Sequence, residues 1–221
     1  MDFIKLFQAL IVCLLSITIP TATYAADKMK PHNDYAANHV ISDSRILPEP
    51  YWPEVGFGVD GLKLSAGGGK RDAIRGGRLA LQWYWPKIWL EHNHLQMTGY
   101  WDMSLAHWIT RGDANGDHRS DTIFAVAPVF RMRMHPRYFR TVLPYVEASV
   151  GLSLHSTDQI AVRCLGCHLN FQDMLGFGFL LGSGREWDVS FHFLHYSNAG
   201  ICPPNNGITI NWLFSAAYRF N

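Results

Sequence analysis

Charge is what this sequence has least of. Asp, Glu, Lys and Arg make up only 17% of its 221 residues, against about 25% in an ordinary soluble domain. The 19 basic and 18 acidic residues nearly cancel, and a net charge of +1 excludes a chain built to grip nucleic acid, which needs a clear basic excess. Long apolar runs are also scarce. Beyond the N-terminus none reaches the ~18 residues that a spanning helix requires, so a mature chain living in lipid would have to be a closed β-barrel. Cysteine is sparse, with Cys13, Cys164, Cys167 and Cys202 the full set. Aromatics fill the gap that charge leaves: eight Trp, nine Tyr and thirteen Phe. A chain this aromatic and 48% hydrophobic is not disordered. It points to a protein whose solvent is partly lipid.

The N-terminus has the layout of a secretory signal. Lys5 precedes an apolar stretch, Leu6 to Ile19, broken only by Gln8, Ser16 and Thr18, and Pro20 ends it. Thr23 and Ala25 occupy the small-residue positions of a cleavage site after Ala25. Bulky Val12 before Cys13 excludes a lipoprotein cleavage box. Residues 1–25 are therefore expected to be a signal peptide. Residues 26–54, rich in Pro, Asn and Asp, are expected to form a periplasmic extension, and 55–221 the barrel.

From Val55 onward apolar and polar residues alternate in segments of about ten, the signature of a transmembrane β-barrel. The last segment is the clearest. Trp212, Phe214, Ala216, Tyr218 and Phe220 share one face, while Asn211, Leu213, Ser215, Ala217 and Arg219 share the more polar one. Eight strands are predicted, at 55–66, 75–85, 88–102, 121–134, 141–154, 168–181, 186–197 and 208–220. Their connections alternate between short (Pro86-Lys87, 135–140, 183–185) and long (67–74, 103–120, 155–167, 198–207). That parity fits an all-β, eight-stranded antiparallel barrel of the bacterial outer membrane, with short periplasmic turns, long external loops and both ends in the periplasm. A soluble lipocalin-like barrel would need an apolar lumen, whereas the inward candidates here are Gln82, His92, His94, Gln96, Ser190 and His192.

Chemistry concentrates in His195-Tyr196-Ser197-Asn198-Ala199-Gly200. Strand residues two apart share a face, so His195 and Ser197 stand side by side, beyond Phe191 and Phe193. An imidazole beside a hydroxyl is the minimum for a general-base-activated nucleophile, and Asn198 with the following backbone could supply oxyanion donors. Val189, Phe191 and Phe193 mark this face as the lipid side, so the pair would meet lipid headgroups and their esters. The same residues can also be plain interfacial polar groups.

His195-Tyr196-Ser197-Asn198-Ala199-Gly200, followed by Pro204-Asn205, Gly207 and a terminal strand ending Tyr218-Arg219-Phe220, resembles the PagL-type lipid A 3-O-deacylase family. The segment Phe171-Gln172-Asp173 with Gly176 and Gly178 is similar to that family's preceding strand. The resemblance implies an outer-membrane serine esterase, needing no metal or other cofactor, that removes the ester-linked 3-hydroxyacyl chain at position 3 of lipid A. Ser197 would be its nucleophile and His195 its base, with Asn198, Gly200 and Asn205 near the oxyanion or substrate. The partner would be the lipopolysaccharide of the outer leaflet, with a homodimer compatible and no nucleic acid involved. The family's triad acid, a Glu early in the last strand, is missing, for Ile208, Thr209 and Ile210 hold that place and no acid occurs in 198–221. Asp173 is the candidate substitute. The odd-numbered residues of its strand and of the His195 strand are both the apolar ones, which puts Asp173 opposite His195 or one pair along. The alternative is a non-catalytic barrel that binds lipopolysaccharide or has a structural role.

Three further motifs carry weaker signals. Cys164-Leu165-Gly166-Cys167-His168 matches a covalent haem pattern, but an eight-stranded lumen has no room for a porphyrin. In an oxidising compartment a Cys164–Cys167 disulfide, or either thiol with Cys202, fits better, and a zinc site there lacks a fourth ligand. The stretch 113–121 echoes a calcium loop but has His118 at its sixth position and Phe124 at its twelfth. Lys70, Arg71, Arg75, Arg111 and Arg119 could face lipid A phosphates or simply be solvated loop charges.

Overall fold

In the computed structural model the described residues are 58–220, except 71–72, 93, 111–119, 137–138 and 140. The signal segment 1–25, the extension 26–54, the calcium-like residues 113–118, and Arg71, Arg111 and Arg119 lie outside them.

Eleven strands follow in order: β1 (Gly61–Gly68), β2 (Arg75–Tyr84), β3 (Leu90–His92), β4 (Leu95–Ile109), β5 (Ser120–Met134), β6 (Val142–His155), β7 (Gln159–Ile160), β8 (Arg163–Cys164), β9 (Leu169–Leu181), β10 (Trp187–Ser197) and β11 (Ile208–Arg219). Eight of them form staves in the order β2-β1-β11-β10-β9-β6-β5-β4, and a β2–β4 pairing closes the ring. Every pairing is antiparallel. Closure removes the unpaired sheet edges that lipid would not tolerate. Among the described residues no helix is long and apolar enough to cross a membrane.

The predicted staves match these positions to within a residue or so at each end except the first, expected at 55–66 and found at Gly61–Gly68 with 55–57 outside the described residues, and the third. Residues 88–102 were expected to be one strand following a turn at Pro86-Lys87. Instead Leu90–His92 pairs back on Leu95–Met97 as a small rim hairpin, anchored by the Trp89 N–H on the Met97 carbonyl at 2.9 Å. The stave then runs on to Ile109, where Asp102, Ser104 and Ala106 point inward and Trp101, Leu105 and Ile109 outward. His94, expected in the lumen, is exposed in that hairpin's turn, and His92 belongs to β3, not to a stave.

The alternation sorts the two faces. Leu64, Leu79, Leu105, Phe124, Val146, Leu152, Phe177, Phe179, Val189, Phe193 and Phe214 are exposed on the outside, where acyl chains stand in for water. Aromatics gather at the periplasmic rim: Trp85 packs against Trp89, Trp101 and Phe130, and Trp187 against Tyr218. Such girdles mark the level of a headgroup layer.

The inside is filled by a charge network, not a channel. Arg131 reaches both Glu147 and Asp188 at 2.7 Å, and its guanidinium lies 3.8 Å from the centre of the Tyr145 ring. Glu147 also takes Lys63 at 3.3 Å, Tyr100 at 3.0 Å and His192 at 2.7 Å. Higher up, Arg78 pairs with Asp102. Removing one partner from such a network strands a buried charge, at a cost of about 3–5 kcal/mol. Gly176 and Gly178 of β9 make the space it needs. A Cβ at these positions would lie 2.1 Å from the His192 ring and 2.4 Å from the Tyr145 hydroxyl.

Candidate active site

The outer end of β10 carries the His–Ser pair. Outward-facing Val189, Phe191 and Phe193 lead to His195, and Ser197 ends the strand on the same face. Antiparallel pairing brings a neighbour from each side. On β9 Asp173 lies directly opposite His195, and Phe171 opposite Ser197. On β11 the residue opposite His195 is Thr209. The His195 Nδ1 stands 2.9 Å from the Thr209 hydroxyl oxygen, which leaves Nε2 as the nitrogen for proton transfer.

Thr209 should not be on this face by simple alternation. Lower in β11 the odd residues Leu213, Ser215, Ala217 and Arg219 are buried inside, and Phe214 and Tyr218 face out. Between the pairs His192↔Leu213 and Leu194↔Ile210 the register shifts by one residue. This β-bulge places Asn211 and Trp212 together on the outside and reverses the parity of everything above it. Thr209 and Asn211 thereby reach the lipid face, while Ile208 and Ile210 turn into the core.

The loop after Ser197 is clamped over the site. Asn198 is 1% exposed, and its amide nitrogen donates to the carbonyls of Leu165 and Cys202. Its Oδ1 accepts the Gly200 N–H at 2.7 Å, and its own backbone N–H donates to Asn205 Oδ1 at 3.4 Å. Asn198, Gly200 and Asn205, expected near the oxyanion or substrate, thus build the loop with their polar groups. Ala199 and Gly200 take left-handed conformations, with φ of 55° and 86°, which turns the backbone sharply just past the nucleophile candidate. Cys167 and Cys202 form a disulfide with Cα atoms 5.9 Å apart, and Cys164 is free. With Cys167 so engaged, Cys164, Cys167 and His168 supply neither a haem thioether pair nor a zinc ligand set. Under this cover Ser197 is 7% and Asp173 8% exposed.

Gly207 closes the loop against the imidazole. Its φ is +60°, and a Cβ there would fall 2.8 Å from His195 Cε1 and 3.2 Å from Nε2. A cavity of about 430 Å³ opens beside it, lined by Lys70, Ile74, Arg163, His195, Asn206, Gly207, Ile208, Thr209 and Asn211. Of the loop cations expected to face phosphate, Lys70 lines this cavity, while Arg75 is exposed at the start of β2 outside it. Sequence reasoning missed Arg163, Thr209, Asn206 and Asn211. The bulge hides Thr209 and Asn211 from a period-two reading, whereas Arg163 becomes visible only through the short β7–β8 hairpin.

A second Ser–His–Asp set lies within the barrel. The His155 Nδ1 is 2.6 Å from Asp121 Oδ2, and its Nε2 is 3.2 Å from the Ser153 hydroxyl. All three residues are buried, at 3% exposure or less, and the Ser153 hydroxyl donates to the Asn170 carbonyl. Asp121 also accepts from the Ser156 N–H and hydroxyl, so this group clamps β5, β6 and β9 together. The distances resemble a triad, but the surroundings admit no substrate.

Comparisons with known proteins bear on the whole assembly. The family model described as Lipid A 3-O-deacylase (PagL) matches residues 75–218. Lipid A deacylase PagL of Pseudomonas aeruginosa is 34% identical over 137 residues, which cover 62% of this chain and 74% of that protein. Lipid A deacylase PagL of Bordetella bronchiseptica is 26% identical over 183 residues, covering 74% and 94%. Among solved structures, the crystal structure of the outer membrane enzyme PagL matches with a TM-score of 0.63 and 28% identity, over 72% of this chain and 98% of that one.

Proposed function

The chain belongs to the lipid A 3-O-deacylase family of outer-membrane enzymes, and from that premise we propose that it cleaves the 3-O-linked hydroxyacyl chain of lipid A with Ser197 as nucleophile and His195 as base. The observation that carries the assignment is the imidazole itself. It faces outward at the outer end of a lipid-facing strand, held at Nδ1 by Thr209 and two residues from a serine on the same face.

The reaction proceeds as acyl transfer. Ser197 Oγ attacks the ester carbonyl while His195 Nε2 takes its proton. The tetrahedral intermediate collapses, and the imidazolium returns the proton to the departing sugar oxygen at position 3. A water molecule, deprotonated by the same nitrogen, then attacks the acyl-serine and releases the 3-hydroxy acid, regenerating Ser197. The Asn198 and Gly200 N–H groups are engaged within the loop, at Asn205 Oδ1 and Asn198 Oδ1, so the oxyanion donor assigned here is the Ala199 N–H between them, held in place by that bracing. Thr209 orients the imidazole by hydrogen bonding, and Asp173 supplies negative charge from the opposite strand. All these residues come from one chain, so the chemistry calls for no second copy.

Mass spectrometry of lipid A from cells carrying the protein tests the reading. Loss of one 3-hydroxyacyl chain with wild type, and its retention with Ser197→Ala or His195→Ala, is the expected result. An unchanged profile from a folded wild-type barrel would leave a lipopolysaccharide-binding barrel without esterase activity.

A further inference from the structure

The loop that follows Ser197 has no apolar anchor of its own. Ile201 is 72% exposed, and Gly200, Pro203 and Pro204 are exposed as well. A segment that buries so little opens at low cost unless something else ties it down. Yet this segment carries the Ala199 N–H assigned to the oxyanion, and a shift of about 1 Å at a reacting centre costs roughly 10²-fold in rate.

The tie comes from the segment just before β9. Leu165 is fully buried in the core cluster that includes Tyr196 and Ile208, and its N–H donates to the Asp158 carbonyl at 2.7 Å. Its own carbonyl is therefore a fixed point. The Asn198 side-chain amide donates to that carbonyl and to the carbonyl of Cys202. One acceptor is anchored by burial, and the other lies on the exposed loop. The Cys167–Cys202 disulfide joins the two segments covalently. Gly166 lets them meet backbone to backbone: its φ is +73°, and a Cβ there would overlap the Cys202 carbonyl oxygen and lie 2.8 Å from that of Pro204. The Asn206 N–H adds a bond to the Cys164 carbonyl at 2.9 Å.

We propose that Cys167 and Cys202 are positioning residues for the deacylation. Their disulfide straps the Cys202 carbonyl to the segment that holds the buried Leu165 carbonyl, so that Asn198 keeps both acceptors and the Ala199 N–H keeps its place. The proposal rests on the deacylase reading for its reaction. The strap touches no substrate, so it acts on kcat and not on KM.

The test opens the strap in the folded protein. The full chain is folded in detergent with the disulfide formed, and both its cysteines are partly exposed to a reductant. Dithiothreitol cleaves the S–S bond with two electrons and two protons, leaving two thiols and becoming a cyclic disulfide. Alkylation at Cys167 and Cys202, read by mass spectrometry, reports the extent. Initial rates of 3-hydroxy acid release are resolved into kcat and KM, and hydrogen exchange across 197–206 follows the loop without turnover. Reduction is expected to lower kcat by about tenfold or more with KM within about twofold. It should also speed exchange at the Gly200 and Ile201 amides, which Asn198 accepts, while the folded band keeps its gel mobility. Reoxidation should restore both. Cys167→Ser with Cys202→Ser should start at the reduced rate and ignore the dithiol, whereas Cys164→Ser should behave as wild type. If the serine pair does not fold, reduction of the folded wild type decides alone. Unchanged kcat or unchanged exchange after full reduction would overturn the proposal. So would a loss carried by KM, or sensitivity to the dithiol that persists in the serine pair. Faster exchange in a barrel that releases no 3-hydroxy acid even when oxidised would overturn the esterase reading and leave the strap standing.

Discussion

Replacing Thr209 by valine keeps the shape of the side chain and deletes the hydroxyl that lies 2.9 Å from His195 Nδ1. A neutral hydrogen bond is worth about 0.5–1.5 kcal/mol net, or roughly two- to tenfold in rate if all of it acts on the transition state. The expected result is therefore a kcat lowered by up to about tenfold with KM unchanged, because the hydroxyl orients a base and does not touch substrate. Removing a true triad carboxylate would cost far more, about 10⁴-fold. The reciprocal change, Thr209→Glu, puts a carboxylate where the hydroxyl stood. Two unit charges 4 Å apart attract by about 4 kcal/mol at an effective dielectric of 20, and much of that is offset by desolvating the new anion. A net gain of about tenfold in kcat is expected. Initial rates of 3-hydroxy acid release from purified lipid A, resolved into kcat and KM, measure both variants. Asp173→Asn, made in parallel, apportions the electrostatic share and should lower kcat in both backgrounds. A Thr209→Val variant at the wild-type rate, or one changed only in KM, would refute the orienting role.

Three other outcomes follow from particular contacts. Gly207→Ala forces a Cβ within 2.8 Å of the imidazole at a φ of +60°, and displacing the base should lower kcat by about 10²-fold with the barrel still folded by gel mobility. Cys202→Ser opens the link across 35 residues, which chain-entropy arguments put at about 4 kcal/mol; protease should then nick the 156–168 and 198–207 loops on intact cells while the staves survive. Glu147→Gln removes the carboxylate shared by Lys63, Arg131 and His192, and a loss of about 3–5 kcal/mol should appear as a lower temperature for conversion of the folded to the unfolded band on gels.

Much of the architecture was legible because a barrel writes its two solvents into the chain with period two. Six of the eight staves could be placed closely by alternation and turn residues; the first began later than expected, and the third was misplaced because the rim segment 88–94 was read as part of it and its upper end, Met103–Ile109, as loop. The pairing of odd with odd across the 183–185 turn narrowed Asp173 to a place opposite His195 or one pair along, and the register puts it directly opposite. The lumen was legible as polar but not as a network. Which of several buried acids meets Arg131 depends on how the ring closes, and Glu147 and Asp188 are 16 and 57 residues away in sequence. The choice of Cys202 as the partner of Cys167 likewise depends on where two external loops meet.

The site itself is where alternation fails, and the failure has a physical cause. A strand of strict period two can show only one set of residues to lipid, and in β11 that set is Phe214 and Tyr218 below. Continued upward without a bulge, it would present Ile208 and Ile210 beside His195 and bury Thr209. One extra residue at Asn211–Trp212 reverses this. It moves two branched apolar side chains into the core and delivers a hydroxyl and an amide to the surface at the level of the imidazole. The bulge therefore gives an apolar exterior a polar patch at its outer rim without breaking the ring of backbone hydrogen bonds. Deleting Asn211 is expected to restore strict alternation and still keep Thr209 beside His195, because Ile210 then directly precedes Trp212 and the pairs Leu194↔Ile210 and His195↔Thr209 keep their partners. Such a barrel should insert, fold and release 3-hydroxy acid. A deletion variant that folds but releases none would mean that Asn211 or the bulge itself serves the reaction, and not the placing of Thr209 alone.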